Sequence, residues 1–361
     1  MSKLLKHSTL ASIVILVLIG LTTTVYCKEK KAKIWKLTAQ IPYGPTSKST
    51  AVCWSFLDDI EQRTGGRVTF PKRFTKSALV PSPRALPAVA EGTIHFFHTS
   101  PLFHANVDHA LEFLEVPGLF LTRKVRANVV ADPEIMGIMQ EAWEKQGVHL
   151  VGFQCIAEQT WSFNKELKSI DDMRGLRIIG SGGTFNNLVE ALGASTVTVA
   201  PPERYEALAR GVANGVAGCI YMLDSYKYGE SCVQLMLPPW IEYQSNPWLV
   251  TKTLWDSFPD DIKAAIEKAG KRLYETSMDK YEKTLKAREN FDVISKYNLK
   301  VLFLSKEDLA KLNKAFHVVA NNYARHSPEC RKMMDIWQAK YAKIGMQGWV
   351  ESWSKYGKLA K

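Results

Sequence analysis

Beyond the apolar residues 13–21, interrupted only by Gly20, the chain has no further run approaching the roughly 20 residues that cross a bilayer as a helix. It has no Cys-x-x-Cys, which leaves a redox or zinc-knuckle role without support. Gly-x-Ser-x-Gly, the phosphate-binding P-loop and His-Glu-x-x-His are also missing, and no carboxylate pair has an evident acid/base role. No motif-borne enzymatic chemistry is therefore supported, and no enzyme is expected. Acid is in deficit, with 47 Lys and Arg against 36 Asp and Glu and a formal charge of +11. That balance favours anionic partners. The lysines are nevertheless spread through residues 28–36 and the C-terminal helices, without the aromatic-plus-basic stripe of a nucleic-acid interface, so no nucleic acid is expected.

What is present at the N-terminus sets the compartment. Lys3 and Lys6 precede the apolar run, and residues 22–27 form a small and polar exit, the layout of a signal peptide over residues 1–27. Val25 and Cys27 suit the small-residue positions before a cut that leaves Lys28 first. Acylation of Cys27 is the alternative, and the bulky Tyr26 argues against it. A periplasmic location follows. Five cysteines remain after such a cut, Cys53, Cys155, Cys219, Cys232 and Cys330, and an odd number leaves at least one thiol unpaired. They read as buried small apolar side chains with at most one bridge.

The length suggests two domains, and the 46% hydrophobic content is ample for two cores. Residues 34–39 alternate as a strand, 42–45 break it, and 50–64 carry a helical apolar face that ends at Gly65-Gly66. Strand, helix and strand follow at 67–70, 83–91 and 93–97. After a helix at 133–146, strands are expected at 148–153, 176–179 and 196–199, with helices at 183–192 and 202–213. A long charged helix from 259 to about 297 leads to a strand at 300–304 and two more helices. One α/β unit interrupted by another is the order of two lobes joined by crossing strands, with ligands held at the carboxyl ends of the strands. The hinge is expected near residues 154–157 and 237–240.

The segments FLDDIEQRTGGRV (56–68), AVAEGTIHFF (88–97) with LEVPGLF (114–120), SIDDMRGLRIIGSGGTFNNLVEALG (169–193) and YEALARGVANG (205–215) stand in an order and spacing that resemble the periplasmic solute-binding subunit of TRAP transporters, the DctP-type family. The resemblance covers most of the chain, from about Trp35 to Gly348. It implies an α/β, two-lobed periplasmic solute-binding fold with a ligand cleft between the lobes and a long bracing helix. Lobe 1 is expected over residues 28–154 plus about 240–280, and lobe 2 over 155–239 plus about 281–361. It also implies capture of a small organic solute by hinge closure, an organic acid in the first place, aromatic or sulfonated among the options, and delivery to the membrane permease subunits of a TRAP transporter. A sensory module that presents its ligand to a receptor, or an enzyme on the same scaffold, are the alternatives.

In that family an arginine usually ends the strand before the glycine-rich loop and clamps a carboxylate; here the position is Ile179. A second family arginine falls near Thr160 or Trp161. Three outcomes remain open: a re-aimed Arg177, a carboxylate or sulfonate held by the N–H groups and hydroxyls of loop 180–184, or a solute that carries no anion at this point. The loop is not a dinucleotide fingerprint, because Phe185 stands where a third glycine would be. Aromatic side chains at strand ends and crossings suit a planar or apolar solute. The ligand contacts expected are Tyr43, His98, Thr99, Trp161, Ile179, Ser181, Tyr221, Trp240 and Tyr243, with Trp248 a further aromatic of the same kind. His95, His98, His104 and His109 lack the helical spacing of a zinc site, so no metal and no cofactor is expected.

Overall fold

The computed structural model describes residues 33–342 apart from 46, 181, 200–202 and 287–288. The signal-peptide expectation, Ser181 and the end of the chain lie outside the described residues. By compactness the chain divides between Trp35 and Lys36, and the architecture below is that of the part beginning at Lys36.

Strand β1 (Trp35–Gln40) leads into α1 (Lys48–Arg63), which the Ser47 side chain caps and which buries Cys53, Phe56, Leu57 and Ile60 on one face. Next come β2 (Val68–Phe74), α2 (Ala85–Ala90) and β3 (Phe96–His98). Two 3₁₀ turns, Pro101–His104 and His109–Glu115, precede α3 (Arg123–Val130), α4 (Pro133–Lys145) and β4 (Val148–Cys155). The middle of the chain holds β5 (Gln159–Phe163), β6 (Arg177–Ile179), α5 (Gly183–Ala191), β7 (Ser195–Val197), α6 (Arg204–Ala209), β8 (Gly215–Gly218), α7 (Met222–Ser225), β9 (Gln234–Ile241) and β10 (Ser245–Thr251). It closes with α8 (Lys252–Ser257), α9 (Asp260–Lys286), α10 (Glu289–Lys296), β11 (Lys300–Phe303), α11 (Lys306–Tyr323) and α12 (Pro328–Lys340).

These strands form two sheets, a five-stranded one in the order β2-β1-β3-β10-β4 and a six-stranded one in the order β11-β9-β5-β8-β6-β7. In the first, β1 and β3 are parallel and β10 runs against both β3 and β4. In the second, β6, β7 and β8 are parallel and β5 runs against β8 and β9. The expected α/β class and two-lobed plan are present. Strands β5, β8, β9 and β10 add to the elements read from the sequence. Every residue of β8, β9 and β10 is buried, so none shows the alternation that marks a strand with one wet face.

The chain passes from the first sheet to the second between Cys155 and Gln159 and returns between Ile241 and Ser245. The two crossings bond to each other, Ile156 N to Gln244 O at 2.8 Å and Gln244 N to Ala157 O at 3.1 Å. The hinge expected at 237–240 is corrected: those residues are strand interior, because β9 stays paired to Ile241, and the return crossing lies at 242–244. A fully buried ion pair holds that crossing. The Glu115 carboxylate accepts from Ser245 N at 3.0 Å and lies 3.8 Å from the Arg126 guanidinium, which donates to the carbonyls of Leu114 and, at 3.4 Å, of Glu242. Burial outweighs the arginine and pushes the Glu115 carboxyl up to about 7.

Helix α9 is about 40 Å long at 1.5 Å per residue. It lies across β4 and α1 so closely that a Cβ on Gly152 would meet the Gly270 Cα at 2.8 Å. Near its far end, Tyr281 bonds Glu158 on the first crossing, so the helix braces a crossing as well as a sheet. Of the helix expected to about 297, α9 is described to Lys286 and α10 from Glu289, and residues 287–288 lie outside the described residues.

Candidate functional site

Parallel pairing sends the carboxyl ends of β1 and β3 to one edge of the first sheet. Chain direction therefore places Tyr43, just past β1, beside His98, the last residue of β3. Antiparallel β10 then brings Trp248 directly opposite His98. The buried His98 ring stands between Tyr43 at 5.3 Å and Trp248 at 5.1 Å, and Trp248 rests on Phe56 of α1 at 5.0 Å. Two residues before Trp248 on the same face, Asn246 donates through Nδ2 to the Tyr43 hydroxyl at 3.0 Å. Gln154, paired with Asn246 across β4, accepts from Cys53 Sγ at 3.0 Å.

The second sheet obeys the same logic. Its parallel strands β6, β7 and β8 end on one edge, where Gly180, Val199 and the turn 219–221 stand in a row. Tyr221 is half-buried with a buried hydroxyl, and its surroundings include Tyr43 and Ser49 of the first lobe as well as Cys219. Gln159 at the start of β5 donates to Cys219 Sγ at 2.9 Å and to the Gln244 side chain at 2.8 Å, tying this edge to the return crossing. Glu158 accepts from Ile220 N at 3.0 Å, so the same crossing that α9 braces also holds the Tyr221 turn.

Desolvation keeps this cluster uncharged. Burial lowers the His98 imidazole to about 3 and raises the Tyr43, Tyr221, Cys53 and Cys219 groups well above their ordinary values. A neutral imidazole presents one N–H donor and one lone pair. Among the described residues neither His98 nitrogen has a hydrogen-bond partner, nor do Asn246 Oδ1 and Trp248 Nε1, and the Tyr221 hydroxyl has none of good geometry although Ser49 acts on it. Buried polar atoms left unpaired cost about 1–3 kcal/mol each, so a concentration of them marks a place built for hydrogen bonds from outside the chain.

The glycine-rich turn is arranged differently. Gly183 opens α5 at φ +50, and a Cβ there would collide with the Glu112 carboxylate. Glu112, buried in the 3₁₀ turn 109–115, accepts from Thr184 N at 2.8 Å, from Thr184 Oγ1 at 3.1 Å and pairs with His109 Nδ1 at 2.7 Å. The N–H and hydroxyl of Thr184 are thus committed to the chain's own carboxylate. Arg177 is exposed and donates to Gly211 O at 2.8 Å.

The structure gathers Tyr43 and His98 on one side and Tyr221 on the other. Trp161 and Trp240 lie together, 6.0 Å apart and fully buried, with Trp240 5.0 Å from Phe185 of α5; Ile179 belongs to the same apolar core. Thr99 turns to His104 Nε2 at 3.1 Å. Tyr243 sits on the return crossing at φ 57, edge-on to Tyr281 at 5.1 Å. The histidines part company: His95 Nδ1 accepts from Thr38 N, His104 packs on Phe97 and Trp143, and His109 stacks on His326 at 3.4 Å. Among the described residues no group of three His, Cys, Asp or Glu could hold a metal, and the five cysteines are buried and unbridged. Asn246, Gln154 and Gln159 escaped the sequence reading. Only their strand register brings them to the edge, and no local pattern announces it.

The family of bacterial extracellular solute-binding proteins, family 7, matches residues 44–326, about four-fifths of the chain by length. The chain belongs to that family. Among curated relatives of this family-7 protein, a monocarboxylate 2-oxoacid-binding periplasmic protein of Nostoc sp. is 26% identical over 62% of this chain and 62% of its own. An uncharacterized protein of Salmonella typhimurium is 23% identical over 53% and 59%. The chain thus spans about six-tenths of the length of the curated relatives it matches. Solved structures carry the fold: a TRAP periplasmic solute-binding protein of Desulfovibrio salexigens with bound orotic acid has a TM-score of 0.78 at 18% identity, covering 86% of this chain and 99% of that one. A Bordetella pertussis extracytoplasmic solute receptor binding pyroglutamic acid has a TM-score of 0.76 at 16% identity, covering 84% and 99%.

Proposed function

We propose that this family-7 protein is a periplasmic receptor, released by removal of residues 1–27, that captures a small organic solute between its two sheets and delivers it to TRAP-type permease subunits. The lobes are residues 28–154 with about 242–280, and 155–241 with about 281–361. The observation that carries the reading is the uncharged cluster of His98, Asn246, Trp248 and Tyr221, whose polar atoms stand unpartnered on the facing strand ends of both sheets. His98 offers both a donor and an acceptor, the rings of Tyr43 and Trp248 hold it in place, and Tyr221 meets the solute from the second lobe. Contacts from both lobes stabilise the closed form, and the permease reads that form.

Support for an organic acid comes from relatives that bind a 2-oxoacid, orotic acid and pyroglutamic acid. A thermal-shift screen of residues 28–361 against organic acids and neutral polyols tests the proposal. A solute at a hundredfold excess over its Kd stabilises by about 2.7 kcal/mol, and His98→Leu abolishes most of the shift while leaving the free protein folded. A flat response to every probe sinks the receptor reading, and turnover of a bound solute replaces it with an enzyme.

A further inference from the structure

We infer that Arg204 supplies the cationic contact for a carboxylate-bearing solute, from the second-sheet edge of the site. The inference rests on the receptor reading above and adds to it the charge of the solute and the residue that matches it.

A carboxylate moved out of water into the cluster around His98 needs a cation or a dense set of N–H donors, since burying it unpaired costs several kcal/mol. Among the described residues the cluster contains neither. His98 is neutral, Tyr43, Tyr221 and the thiols are uncharged, Ile179 is apolar, and the Thr184 N–H at the head of α5 is taken by Glu112. Among the described residues Arg204 makes no ion pair, in contrast to Arg63, Arg73, Arg123 and Arg126, each of which faces a carboxylate.

Its position is fixed by the ends of two parallel strands. Nε donates to Val199 O at 3.1 Å and Nη2 reaches Gly180 O at 3.5 Å, the residues just beyond β7 and β6. A guanidinium has five N–H donors, and beyond these two carbonyls and the Tyr228 side chain no carboxylate faces it among the described residues. Tyr226 and Tyr228 lie beside it, and the charge of Arg204 favours their ionised forms. Tyr226 is also within the electrostatic reach of Tyr43 and Tyr221. Gly180 and Val199, which anchor the guanidinium, follow strands that end on the same edge as the Tyr221 turn. Arg204 can hold the acid end of a solute while its body meets His98 and Tyr221.

The test is calorimetric titration of the wild type, Arg204→Gln, Arg204→Met and Arg204→Lys with acids and their uncharged counterparts: orotate with uracil, pyroglutamate with 2-pyrrolidinone, galacturonate with galactose. The expected result is that the wild type prefers one acid over its counterpart. Loss of a charge-assisted contact then weakens that acid by roughly ten- to a hundredfold in Arg204→Gln and Arg204→Met, less in Arg204→Lys, with the melting curves of the free proteins unchanged. Equal acid affinity in the wild type and both neutral variants overturns the role of Arg204 and leaves the receptor reading standing. So does a wild type that takes only the uncharged compounds. A wild type that binds none of the probes defeats the receptor reading and this inference with it.

Discussion

His98 and Trp161 show how the same burial serves different ends in single residues. Burial depresses His98 to about 3 and His104 to about 4, below the 6.5 of a free imidazole. Their contribution to stability is thus present above about 6.5 and is lost as pH falls through the folded values. The cost of keeping His98 neutral and unpartnered is borne at the strand ends proposed to meet the solute. Trp161 is equally buried but packs on Trp240 within the second lobe's core. Trp161→Ala is expected to lower the unfolding free energy by about 3–5 kcal/mol, read by urea denaturation. A loss below about 1 kcal/mol would move Trp161 out of the core.

Among the elements, α9 is placed by a buried stripe that includes Ile262, Ile266, Leu273, Met278 and Tyr281 and by its close contact with β4. Alanine in a helix is intrinsically better than glycine by about 1 kcal/mol. At Gly270 that gain is overruled, because the new Cβ would fall on the Val151 carbonyl oxygen and α9 would have to lift from the sheet. Overpacking of this kind costs about 1–3 kcal/mol or more. Gly270→Ala is therefore expected to lower the melting temperature, and an unchanged or raised value would show that α9 and β4 have room to part. The same displacement would shift Tyr281 away from Glu158, which couples the brace to the crossing.

At the scale of the whole molecule, the crossing held by Glu115 and Arg126 makes stability depend on pH. Glu115 rises to about 7 from the ordinary 4.5 because burial outweighs Arg126, and the neighbouring Glu112 adds to the rise. The folded state therefore binds more protons than the unfolded one between these values, and this group's share of stability falls as pH rises through that window, by on the order of 3 kcal/mol. The histidines act in the opposite sense over about 3 to 6.5, so the difference between wild type and Glu115→Gln isolates the carboxyl. The wild type should lose stability relative to the variant from about pH 4.5 to 7, and parallel curves would place the Glu115 proton elsewhere.

The sequence by itself determined the α/β rhythm, because Gly65-Gly66, Gly92 and the apolar spacing within α1 act over a few residues. It also determined the family, through four ordered stretches from 56 to 215. It did not show β8, β9 and β10, whose burial on both faces erases alternation. Nor did it show that Glu112, 72 residues before Thr184, occupies the head of α5. Tyr43, His98 and Tyr221 were legible as aromatic or polar residues at strand ends, whereas their meeting with Trp248, Asn246 and Gln154 was not. Strand register and chain reversal are set by the packing of whole sheets, and only the tertiary structure decides which distant residues share an edge.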